Sequence, residues 1–93
     1  MINVDKQIQY WVKGADSNLK TAEILIKKKK ITEGLFFCHL CIEKILKALV
    51  VKETKNIPPY IHKLSYLADK AKISLTEEQL NFFTILMKYQ LEG

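Results

Sequence analysis

Apolar residues return every third or fourth position through nearly the whole chain, a period that suits helices and not strands. Ile8, Trp11, Ala15, Leu19, Ala22 and Ile26 share one narrow face at 100° per residue, predicting a helix from about Asp5 to Lys29. Asn3 or Asp5 can cap its start, and Lys27 to Lys30 suit the negative end of the helix dipole. Gly14 costs about 1 kcal/mol relative to Ala inside a helix, which marks a place where another helix comes close.

A second helix is predicted from an N-cap at Thr32, with Glu33 in its first turn, to about Glu53. Leu35, Cys38, Ile42, Ile45, Leu46 and Leu49 make its core stripe. The opposite side is not cleanly polar: Phe36, Leu40 and Val51 lie there among Glu43, Lys44 and Lys47. A helix apolar on two sides must bury both, either as the central rod of a bundle or at an interface. Pro58 and Pro59 then break the pattern across Lys55–Tyr60. A short third helix is expected over about His62–Lys72, with Leu64, Leu67, Ala68 and Ala71 inward. The fourth starts at Thr76, where Thr76-Glu77-Glu78-Gln79 matches a capping box and Leu75 with Leu80 a hydrophobic staple. Its stripe is Leu80, Phe83, Met87 and Leu91. The expectation is a single all-α domain over residues 1–93, an up-and-down helical bundle of about four helices.

Such a small domain has a thin stability margin unless it associates. Met1 to Trp11 lacks the apolar core of a secretory signal. Leu35–Val51 is too short and too charged to span a bilayer, so a cytoplasmic location without membrane contact is expected. The net charge of +5 comes from lysine alone, since all 15 basic residues are Lys.

Several clusters invite a chemical reading. Cys38 and Cys41 flank His39 in a C-x-x-C spacing, but they sit within an apolar helical run and lack a second ligand pair. They read as buried apolar residues, with no metal or cofactor expected. His39 stands four residues before Glu43, in reach of a helical contact. His62 reads as a capping or helix-start residue; Ser65 follows it without an oxyanion-hole pattern. Glu43 and Lys47 form an ordered i,i+4 pair. With Lys44 they are either a solvated charge stripe or, among Phe36, Leu40 and Val51, part of a protein interface; the interface is the favoured reading. Lys6, Lys13, Lys20 and Lys27 recur every seven residues, about 10 Å apart along the first helix. That line can hold phosphates, although Asp16 and Glu23 flank it and Tyr10 is the only stacking group evident beside it. Glycine patterns for nucleotide folds are absent.

Four stretches in order carry a family resemblance: Trp11–Glu23 (WVKGADSNLKTAE), Phe36–Val51 (FFCHLCIEKILKALVV), Pro58–Ala71 (PPYIHKLSYLADKA) and Leu75–Gln79 (LTEEQ). Together they resemble HEPN domains, with Asn18 standing where the pattern usually has Asp. The resemblance implies a helical bundle that dimerises and is often paired with a minimal nucleotidyltransferase in bacterial or archaeal toxin–antitoxin modules. It also implies nucleotide or RNA as a ligand class, since many HEPN toxins are metal-independent ribonucleases using an Arg-x(4–6)-His motif. Here no arginine exists and no histidine follows His62. Similar proteins carry an Arg-Tyr-Pro element just past the segment matching Lys88–Gly93, so a shortened form of the domain is expected. Lysine does not replace arginine's planar donor fork, and Glu43, Lys44 and His62 carry over as signature positions with no catalytic role.

Overall fold

The computed structural model describes residues 2–89, all of whose regular structure is helical: α1 (Val4–Lys27), α2 (Ile31–Thr54), α3 (Leu64–Lys70) and α4 (Glu77–Met87). Leu91, expected to extend the last apolar stripe, lies outside the described residues.

Local chemistry sets most of the helix ends. Asn3 caps α1 by accepting from the Lys6 amide at 3.0 Å. Thr76 and Gln79 form the reciprocal capping box of α4, at 3.1 and 3.0 Å. α1 closes in a Schellman turn: Lys29 has φ 63°, and Lys30 N donates to Leu25 O at 2.8 Å. α3 closes the same way through Lys72 at φ 57°, and α2 ends on Lys55 at φ 59°. The three left-handed residues among those described are all lysines, where glycine is the usual choice.

Two expected starts are corrected. Thr32 is not the N-cap of α2, because the turn after α1 is complete at Lys30 and the helix begins at once, with Lys30 as N-cap and no side-chain cap. The third helix starts at Leu64 rather than His62: Lys63 is its N-cap, and the His62 side chain is drawn back to α2.

α2 is the central rod. Among the described residues α1 packs against α2 and against neither of the other helices, whereas α3 and α4 pack against α2 and each other. Later residues of α1 meet earlier residues of α2, so the pair runs antiparallel. A Cβ on Gly34 would stand 2.6 Å from Ile26 Cγ1, and one on Gly14 would stand 3.0 Å from Lys44 Cδ. This seam is narrow and filled by small residues, with Ala22 against Gly34 and Ala15 beside Cys41. The opposite flank holds the main core: Leu46, Val50, Leu64, Leu67, Ala68, Ala71 and Leu86 form one buried cluster. Burying a leucine such as Leu64, Leu67 or Leu86 contributes about 1.5–3 kcal/mol. α2 is thus packed on two flanks within one chain, while Phe36 and Leu40 remain half-buried.

The narrow seam corrects part of the predicted core. Leu19 and Ile26 remain 43% and 39% exposed, because helices in such close contact leave large side chains at the stripe's edge outside. Ile45 is 45% exposed for the same reason, at the edge of the seam beside Val12 and Leu19. Leu80 is also exposed on α4.

Candidate functional site

Between its two packing flanks α2 carries a third line of side chains. His39, Glu43 and Lys47 stand one turn apart on it, and all three are buried. The loop Asn56–Lys63 supplies His62 to this line, while α1 brings Trp11. Pro58 is buried, and Ile61 N donates to Pro59 O at 2.8 Å in a tight turn just ahead of His62.

Glu43 is the hub. Its Oε2 lies 3.1 Å from Lys47 Nζ and 2.9 Å from His62 Nδ1, while Oε1 lies 3.6 Å from His39 Nε2. A carboxylate accepts and cannot donate, so Nδ1 of His62 carries the shared proton, and the half-exposed ring keeps Nε2 as the other polar atom. The Lys47 ammonium sits between two rings, 5.1 Å from the Trp11 centroid and 5.7 Å from that of Tyr60. Trp11 itself donates from Nε1 to Gln7 Oε1 at 3.3 Å. A buried charge must be paired and hydrogen-bonded, and here the two opposite charges satisfy each other with aromatic faces completing the shell. Satisfaction is incomplete at His39, which is 1% exposed with no hydrogen-bond partner on either ring nitrogen.

This geometry corrects three readings. Glu43 and Lys47 are neither a solvated stripe nor the favoured interface face, because both are about 4% exposed, enclosed by the fold itself. His62 is not a helix cap; its ring serves Glu43. The remaining candidates scatter around the hub. Lys44, half-buried, crosses Gly14. Phe36, half-buried, lies edge-on to Phe37 and tilted at 6.5 Å over His39. Leu40 is half-buried, and Val51 is fully buried. Asn18 Oδ1 is buried without a hydrogen-bond partner.

Lys6, Lys13, Lys20 and Lys27 are all exposed on α1, and Lys20 pairs with Asp16 at 3.1 Å. Cys41 is buried and Cys38 half-buried, both reduced. Burial pushes both thiols above their ordinary pKa, and for Cys41 the nearby Cys38 and Asp16 add to the rise while Lys44 opposes it. Among the described residues no group of three His, Cys, Asp or Glu side chains is placed to hold a metal ion. No helix there is long and apolar enough to cross a membrane.

Trp11 and Tyr60 were missing from the sequence reading of this site. Tyr60 adjoins the two prolines, and that stiff Pro-Pro-Tyr stretch was the one available signal.

A family model described as HEPN domain matches residues 8–93. Comparison with curated proteins and comparison with solved structures each gave no match.

Proposed function

The chain belongs to the HEPN domain family, and on that premise we propose that it is a helical interaction module that works as a homodimer. The observation carrying this reading is an uncovered apolar strip along the outer edge of the α1–α2 seam. Val12, Leu19 and Ile45 are all exposed there, around the buried Ala15 and Cys41. Val12 and Leu19 are two helical turns apart. An antiparallel twofold pairing of two α1 helices brings Val12 of each copy against Leu19 of the other, the self-complementary arrangement that a closed dimer requires. Phe36 and Leu40, both only half-covered, extend the apolar surface on the other side of α2.

Pairing with a minimal nucleotidyltransferase as the HEPN component of a prokaryotic toxin–antitoxin module, in the cytoplasm, completes this proposal and rests on family habit alone. Sedimentation equilibrium should return a dimer, and Ile45→Glu should yield a monomer of unchanged helix content. A well-folded wild-type monomer at high micromolar concentration would rule the dimer out. Stable co-purification with a nucleotidyltransferase encoded beside it is the corresponding test of the pairing.

A second reading is nucleotide or RNA binding, favoured by the exposed line of Lys6, Lys13, Lys20 and Lys27. Binding through such a line weakens steeply with added salt as counterions are released. A titration at low salt that detects no binding removes this reading.

A further inference from the structure

Tyr60 is 92% exposed, more than any other large apolar side chain described. A ring left in water gains nothing from burial, so folding does not account for it. Its surroundings are nonetheless ordered. The His62 ring lies 5.7 Å away at 71°, and the Lys47 ammonium sits 5.7 Å from its centroid. Lys47 reaches in the other direction to Trp11, and Trp11 meets Tyr10 edge-on at 4.9 Å. Tyr10 is itself 66% exposed and lies one turn from both Lys6 and Lys13 on α1. An unbroken series of contacts thus joins two water-facing rings, one on a helix and one on a proline-stiffened loop, through a buried ion pair.

We propose that Tyr60 and Tyr10 form a stacking platform for the bases of nucleotide units, with Lys6 and Lys13 facing the phosphates. This rests on the lysine-line reading above and gives it a place. Two observations select the ligand class. Flat rings exposed to water stack on flat rings without regard to base identity. A cationic ligand is disfavoured, because Lys47 already supplies the ammonium between Trp11 and Tyr60 and the chain carries a net charge of +5. A planar group bearing negative charge suits both the rings and Lys6 and Lys13, and a nucleotide unit is such a group. The unit can come from a free mononucleotide or from a single strand.

Trp11 is the sole tryptophan, so its fluorescence reports on the platform directly. The full chain is titrated at low salt with an oligouridylate about twelve nucleotides long, an abasic phosphodiester of equal length, and adenosine monophosphate. The oligouridylate should bind about tenfold tighter than the abasic strand, and Tyr60→Ala should erase that difference while Tyr60→Phe keeps it. Because Tyr60 is almost wholly exposed, the alanine variant should fold normally, as circular dichroism will check. Tyr60-dependent binding of adenosine monophosphate also supports the platform and identifies free nucleotide as a source; tight binding of the oligouridylate alone identifies the single strand. Equal affinity for the oligouridylate and the abasic strand, unchanged in Tyr60→Ala, overturns the platform and leaves the lysine line standing. No binding of any probe overturns both.

Discussion

His62 Nδ1 and Glu43 Oε2 meet at 2.9 Å across nineteen positions of sequence. The contact ties the loop that follows α2 back onto the middle of that helix, beside the Lys47 ammonium on the same oxygen. Two groups, one from the helix and one from the loop, therefore share one buried carboxylate oxygen.

Removing the carboxylate should be severe. Glu43→Ala leaves Lys47 charged and unpaired in the interior, and loss of one partner of a buried pair costs about 3–5 kcal/mol. His62→Ala removes a half-exposed partner and should cost about 0.5–2 kcal/mol. Replacing both charges together, as Glu43→Leu with Lys47→Met, should recover most of the loss. Urea unfolding of the four proteins measures this directly; a double variant no better than Glu43→Ala would refute the pairing as the source.

The two helical glycines should respond differently to alanine. At Gly34 the new Cβ would stand 2.6 Å from Ile26 Cγ1, so the Ile26 side chain or the α1–α2 seam must shift, with a loss of about 1–3 kcal/mol. At Gly14 the crowding atoms belong to the flexible Lys44 side chain, which can move away. There the gain in helix propensity, about 1 kcal/mol, should roughly offset the displacement. Thermal melts of the two variants decide it, and equal shifts would contradict the close seam.

Lys55→Gly should raise stability by up to about 1 kcal/mol, since glycine adopts the left-handed conformation at the end of α2 without the penalty an L side chain meets. Part of the gain is offset by the lost bond from Lys55 Nζ to Lys52 O at 2.8 Å. Lys55→Ala, which keeps the backbone penalty and loses that bond, should melt below the wild type. A lower melting temperature for the glycine variant than for the alanine variant would contradict this account.

Cys38 and Cys41 should react slowly with a thiol reagent at neutral pH and rapidly once the chain is unfolded, because burial raises both pKa values and lowers the thiolate fraction. The sign for stability follows from linkage. A thiol whose folded pKa is raised contributes stability that is fully present below its unfolded pKa and is lost as pH rises through the folded one. Urea midpoints should therefore fall on the alkaline side of the unfolded thiol's pKa, about 8.5, and double serine replacement should remove that part of the pH dependence. Fast native labelling would be incompatible with burial.

Much of this architecture was legible in the period of the apolar residues. The two-sided composition of α2 foretold a central rod, and the Asn3 cap and Thr76 box lay in adjacent residues. What could not be read depends on distances between helices. Leu19, Ile26 and Ile45 have the right spacing for a core, but the closeness of α1 to α2, set by Gly34 and the alanines, leaves them at the edge. The Glu43–His62 contact spans a loop whose path local propensity does not encode, which is why Glu43 and Lys47 looked like surface charges.

The run Lys27–Lys30 lies in the only stretch of backbone joining α1 to the rest, and among the described helices α1 packs on α2 alone. The molecule is therefore two pieces on a shared axle, and nothing but that lysine bridge makes them one polymer. Nicked there by a lysine-specific protease, the pieces should stay together until the α1–α2 seam is melted, with α1 leaving whole.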